Sequence, residues 1–201
     1  MAKTLFSESF IYIFAFTLRY VLLILDHLLV QLRQQAEIDY LTDVFNRRSF
    51  IKLVEKARAS AQRDDSTLSL IAIDLDRFKS VNDTYGHAAG DAALQHFSSV
   101  ITSSLRPGDI LGRTGGEEFM VLLPDTKMFD AFDVAERLRL EIEQSVVESE
   151  KTQVNLTISL GVSSAPRGEK TFDQLAKESD AALYKAKQCG RNQVAAFQEN
   201  Q

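Results

Sequence analysis

"TLSLIAIDLD", Thr67 to Asp76, decides the architecture. It shows no alternation of apolar and polar residues until its acidic end. A strand of this kind is covered on both faces, as the central strand of a sheet flanked by helices is. Asp74 and Asp76 stand at its C-terminal end, where sheets of this type commonly receive ligands. Side chains alternate along a strand, so these two carboxylates share a face and Leu75 points away.

The chain on either side supplies the rest of a sheet and its covering helices. Asn46 can cap a helix from Arg47 to about Gln62, with Phe50, Leu53, Val54 and Ala57 on one face. After the central strand, the polar stretch "RFKSVNDTYGHAAGD" reads as a loop leading to a helix from Ala92 to Leu105. "DILGR" and "EEFMVLLP" read as two strands joined across Gly115 and Gly116. "FDAFDVAERLRLEIEQSV" is an amphipathic helix and "VNLTISLGVSS" a strand. "TFDQLAKESDAALYKAKQCG" is a helix stopped by Gly190, and "NQVAAF" a last short strand. This order predicts an α+β domain, close to α/β: one mixed sheet with helices packed on it.

The N-terminus is different in kind. "FIYIFAFTLRYVLLILDHLLV", Phe10 to Val30, matches a bilayer-spanning helix in length and holds few titratable residues, Arg19, Asp26 and His27. Apolar residues also recur at heptad spacing through Ile11, Phe14, Leu18, Val21, Leu25, Leu28 and Leu32, a coiled-coil seam. Two expectations stand side by side: a membrane helix, or a soluble helix buried in a dimer. In both, a long helix over residues 5–35 precedes a catalytic domain over 37–201. No small-residue cleavage site marks a secretory signal.

Composition narrows the function. The chain has 201 residues, 45% hydrophobic and 25% charged, with a formal net charge of -5. A nucleic-acid-binding domain would carry a basic face instead. One cysteine, Cys189, excludes a disulfide framework and points to a reducing, cytoplasmic setting. No Cys/His cluster suggests zinc.

The residues that suggest chemistry gather around the strand ends. Glu117 and Glu118 follow the glycine pair, which permits the positive φ that a two-residue turn needs. With Asp74 they would make an oxygen-rich cluster suited to Mg²⁺ and substrate phosphates. Asn82, Asp83, His87 and Asp91 lie between and beside Gly86 and Gly90. They are ordinary turn residues, and equally the Asn and Asp side chains can read a guanine edge. Lys187 and Arg191 sit where cations favour a helix C-terminus, or where they could hold a triphosphate.

Taken together, "LTDVFNRRSF", "DLDRFKSVNDTYGHAAGD", "RTGGEEF" and "DAALYKAKQCGRN" resemble the GGDEF diguanylate cyclases in order and spacing. The resemblance covers about residues 37–198. It implies a five-stranded mixed sheet similar to the palm of class III nucleotide cyclases. It implies condensation of two GTP into cyclic di-GMP with release of two pyrophosphates. By this similarity Asp74, Glu117 and the Leu75 carbonyl would hold Mg²⁺, or Mn²⁺ as a substitute. Glu118 would serve a second metal, and Glu117 would take the proton of the ribose 3′-hydroxyl. Asn82 and Asp91 would read guanine with His87 nearby. The backbone at Phe78 and Lys79, with Lys187 and Arg191, would hold phosphates, and Gly115 and Gly116 would let the nucleotide lie close. Each domain would bind one GTP, so a homodimer would complete the site, with the N-terminal helix as its dimerising element. "RPGD", Arg106 to Asp109, matches the family's RxxD product-inhibition site in type and offset; read without the family, it is a helix-ending Arg and a Pro-Gly turn. A non-catalytic cyclic di-GMP receptor is the alternative function. One departure stands out: Asp43 occupies a position where the family usually has Gly.

Overall fold

The computed structural model describes residues 15–25, 37–149 and 152–198. The chain divides into two units, Met1–Ala36 and Glu37–Gln201. In the first, residues 15–25 form a helix, α1. Its apolar side chains, Phe16, Leu18 and Val21 through Leu25, are exposed. The flanks of the helix expected over 5–35 lie outside the described residues. Among the described residues no helix is long and apolar enough to cross a membrane.

The second unit is built on β2, Leu68–Leu75, in which every residue is buried. It pairs antiparallel with β4, Glu118–Pro124, on one side and with β7, Ile158–Ala165, on the other. β3, Ile110–Arg113, extends the sheet beyond β4. Short parallel strands close both edges: β1, Phe45–Asn46, beside β3, and β8, Val194–Ala196, beside β7. The sheet therefore has six strands in the order β1-β3-β4-β2-β7-β8, against the five implied by resemblance. Pieces of two and three residues are below what periodicity detects, since their pairing is set by distant partners.

Alternation along β2 assigns the layers. Leu68, Leu70 and Ala72 face α2, Arg47–Asp64, and α6, Phe172–Gln188. Ile71, Ile73 and Leu75 face α4, His87–Ser104, and α5, Met128–Gln144. Asn46 caps α2 by accepting from the Ser49 amide, and Thr171 with Gln174 forms a capping box on α6. Two expected spans differ. The polar stretch after β2 contains a helix, α3, Phe78–Tyr85, and α4 begins at His87 rather than Ala92. Burial of Phe78 and Val81 overrides a composition that reads as turn. The stretch "VNLTISLGVSS" is divided: β6, Thr152–Asn155, leaves the main sheet to pair with β5, Val146–Ser149, and β7 starts at Ile158.

Asp43 has φ 57°, in the left-handed region. The turn is fixed by its neighbours: Asp43 N donates to Asp39 O at 2.9 Å and Asp39 N to Val44 O at 2.8 Å. Glycine adopts this conformation freely, which accounts for the family's usual residue, and aspartate tolerates it better than most. Its side chain is exposed. Asp43→Gly should therefore stabilise the domain by up to about 1 kcal/mol, raising the melting temperature by about 2–4 °C in a thermal scan.

Candidate active site

The register of β2 on β4 sets Asp74 opposite Glu118. Leu75 N donates to Glu117 O at 3.3 Å, carrying the contact past the end of β4. The hairpin tip, Thr114–Glu117, has four residues rather than two, closed by Thr114 N and Gly115 N donating to Glu118 O. Neither Gly115 nor Gly116 has a positive φ, so turn geometry does not require them. A Cβ on Gly115 would fall on the Glu118 carboxylate, whereas one on Gly116 would meet open space. The first glycine makes room for an acidic side chain, and the second leaves bare backbone at the surface.

Arg113 holds this tip in place. Its Nη2 donates to Gly116 O at 2.7 Å and its Nη1 to Asp39 Oδ1 at 2.9 Å, and its guanidinium lies 6.0 Å from the Phe119 ring centroid. Burial alone would push the Asp39 carboxyl up. The Thr42 hydroxyl and amide and the Arg113 guanidinium outweigh it and hold Asp39 below the usual range. Arg113 opens "RTGGEEF", yet the sequence gives no sign that its partner lies 74 residues upstream.

Asp74 meets Lys187, from the last turn of α6, with Nζ 2.7 Å from Oδ2. Burial nonetheless raises the Asp74 pKa, with Glu118 and Asp76 adding to it against the pull of Lys187. Glu117 is raised likewise, by burial first and then by Asp74 and Glu118. Asp180 belongs to the same field: burial and Glu118 raise it, and Lys187 opposes them. The sequence reading missed Asp180, although a spacing of seven puts it on one face of α6 with Lys187.

Asp76, grouped with Asp74 by alternation, does different work. Its carboxylate accepts from Ser159 Oγ at 2.6 Å, Thr157 Oγ1 at 2.9 Å and Asn192 N at 3.0 Å. Three donors fasten the start of β7 and the turn after α6 to the end of β2.

Asp74, Glu117, Glu118 and the Leu75 carbonyl are oxygen donors of the type that hard divalent cations take. Among the described residues no three acidic, His or Cys groups close on one point, and Lys187 holds Asp74 instead. The donor chemistry fits a cation: the raised carboxyls of Asp74 and Glu117 mark crowded negative charge that a cation relieves.

The other expected residues sit on α3, α4 and the turn after α6. Phe78 and Lys79 open α3; Phe78 is buried and Lys79 exposed. Asn82 presses on Gly90, where a Cβ would overlap the Asn82 side-chain oxygen. This glycine lets α3 close onto the first turns of α4, which present His87 and Asp91 to solvent. Arg191 is exposed at φ 67°, its amide donating to Ala186 O at 3.1 Å.

Arg106 and Asp109 lie on another edge. Arg106 Nε pairs with Asp109 Oδ1 at 2.9 Å, and Arg106 N donates to Asp109 Oδ2 at 3.2 Å. Arg106 Nη2 reaches Pro124 O at 2.6 Å and Thr126 Oγ1 at 2.7 Å. The Pro-Gly turn is present too, with Gly108 at φ 106°. A hollow beside the pair is lined by Leu123, Asp130, Val134 and Arg137.

This arrangement has known counterparts. The family described as "Diguanylate cyclase, GGDEF domain" matches residues 36–193, and the chain belongs to it. It is 37% identical over 174 residues to Diguanylate cyclase A of Treponema denticola, covering 85% of this chain and 47% of that protein. It is 38% identical over 172 residues to the response regulator PleD of Caulobacter vibrioides, covering 85% of this chain and 37% of that one. The chain thus spans about half or less of these curated relatives. Among solved structures, the GGDEF domain of DgcB from Caulobacter crescentus, in complex with c-di-GMP, superposes with a TM-score of 0.77 at 32% identity, covering 82% of this chain and 95% of that one. The active GGEEF domain of a diguanylate cyclase from Vibrio cholerae superposes at 0.72 with 34% identity, covering 77% and 98%.

Glu117 is costly to ionise in the ligand-free fold, because its pKa is raised above the unfolded value. The sign follows: its contribution to stability is most favourable at low pH and falls as pH rises past the ordinary carboxylate range. Glu117→Gln removes that loss. Because the side chain is partly open to water, the effect is screened. The variant should melt about 1–2 °C above the native chain at pH 7, a gain that vanishes near pH 4 in matched scans.

Proposed function

We propose that the chain condenses two GTP into cyclic di-GMP and two pyrophosphates. One observation carries the reading: Asp74, Glu117 and Glu118 form a single electrostatic cluster with Lys187 at the open end of β2. Family membership supplies the reaction that such a cluster serves.

In this reading Asp74, Glu117, Glu118 and the Leu75 carbonyl hold Mg²⁺, with Mn²⁺ as a substitute. The cation, when bound, neutralises phosphate charge and lowers the pKa of the attacking hydroxyl. Glu117 accepts the 3′-hydroxyl proton as a positioned carboxylate base. Lys187 leaves Asp74 as the nucleotide arrives and pairs with phosphate, joined by Arg191 and the backbone amides at Phe78 and Lys79. Asn82 and Asp91 read the guanine edge, with His87 at the rim. Gly116 gives the nucleotide bare backbone to lie against, beside the room made by Gly115. Each catalytic domain, 37–201, offers one GTP, so two copies face each other. Residues 1–36 supply the pairing element. Arg106 and Asp109 bind the product and restrain turnover.

Incubation with GTP and Mg²⁺ should yield cyclic di-GMP and pyrophosphate in a one-to-two ratio, resolved by chromatography. The rate per chain should rise with protein concentration and fall when residues 1–36 are removed. Glu117→Gln should reduce turnover by at least about 10²–10⁴-fold with an unchanged circular dichroism spectrum. Absence of product at every protein concentration would sink the proposal.

A further inference from the structure

Arg106 does not hang free in its turn. Its side chain is 57% exposed, yet its guanidinium already has three acceptors: Asp109 Oδ1, Pro124 O and Thr126 Oγ1. Two of the three come from the end of β4 and the link that follows it, remote in sequence from the RPGD turn. That link is set by Asp125, in the left-handed region at φ 45°, which delivers Thr126 to the guanidinium.

Thr126 is itself pinned at every polar atom. Its amide donates to Thr67 O at 3.0 Å, and its carbonyl accepts from Ser69 Oγ at 2.7 Å. Ser69 Oγ in turn lies 3.1 Å from Ser164 Oγ on β7. The Thr126 hydroxyl donates to Pro124 O at 2.9 Å, which aims its lone pair at Arg106 Nη2. The residue is buried, unlike the arginine it holds. A fork with five donors and a flexible stem gains ligand affinity when its plane is fixed in advance. Here that plane is fixed from the centre of the sheet, through Thr126.

We propose that Thr126 is a positioning residue for the anion- and guanine-binding face of Arg106, and so sets the affinity of the product site. The inference rests on Arg106 and Asp109 being that site. Thr126→Val keeps the shape and removes the hydroxyl. Pro124 O keeps Arg106 Nη2 as its donor, so no buried acceptor is orphaned and the fold is retained. Thr126→Ser keeps the hydroxyl.

The test is titration calorimetry of the full chain with cyclic di-GMP, with turnover at low product and the melting temperature measured in parallel. Thr126→Val should weaken binding about fivefold to tenfold, the scale of one ordinary protein hydrogen bond. Thr126→Ser should stay within about twofold of the native chain, and initial turnover should not change in either. Arg106→Ala should lose binding at this site altogether. Native-like binding by Thr126→Val, with Arg106→Ala defective, overturns the inference alone. Equal loss in Thr126→Ser and Thr126→Val also overturns it, since packing would then be the cause. No binding by the native chain, or native-like binding by Arg106→Ala, overturns the product-site reading and this inference with it. If Thr126→Val melts early, the Arg106 Nη2–H resonance, which reports the bond to Thr126, decides between the outcomes. It should move toward the free-arginine position in Thr126→Val and keep its native position in Thr126→Ser; native dispersion in both overturns the inference.

Discussion

A strand with no face in water constrains everything around it. Each residue of β2 is buried, so its polar groups reach solvent only where the strand ends. Buried carboxylates must be paired or relieved of charge. The two at this end show both solutions. Asp76 is satisfied by a hydroxyl from each of two β7-side residues and by a backbone amide, and so becomes part of the scaffold. Asp74, two residues earlier, faces another acidic side chain across the ladder and pairs with Lys187. One strand end thus carries one settled charge and one unsettled charge.

The unsettled charge costs stability and marks the strand end as a candidate site. Asp74, Glu117 and Asp180 are each costlier to ionise than free carboxyls, through burial first and then through neighbouring acids, and Lys187 offsets only part of it. A protein selected for stability alone would replace one of these acids. Crowded like charge is common where a fold must bind a cation or move a proton, and such sites are stabilised elsewhere in the molecule. Here the compensation is visible in the two-sided core around β2 and in the Arg113 contacts that hold the hairpin tip.

Legibility in the sequence followed the range of each interaction. β2 was readable because burial on both faces leaves a local mark, and Asn46 as the α2 cap because it acts three residues away. The acidic cluster was readable because strand alternation and the glycine hairpin are local patterns. α3 was not, because its Asn, Asp and Gly content speaks for a turn and the packing of Phe78 speaks against it. The glycine pair was located correctly, but the positive φ expected of it is absent: the tip is longer than expected, and Gly115 answers to the Glu118 side chain. Asp76 could not be told from Asp74, since its donors lie more than eighty residues ahead. Arg106 was found, but its Pro124 and Thr126 acceptors, 18 and 20 residues on, leave no mark beside it.

The bond from Asn192 N to Asp76 bears on assembly. It ties the segment that follows α6 to the strand that carries Asp74, across 116 residues of chain. The cationic and acidic sides of the cluster are thereby gauged against one fixed point. If two copies complete the site, as proposed, a half fastened in this way has few loops left to order when it meets its partner. The entropy lost on association is then chiefly that of two rigid bodies, and orientation rather than local rearrangement governs how often an encounter is productive.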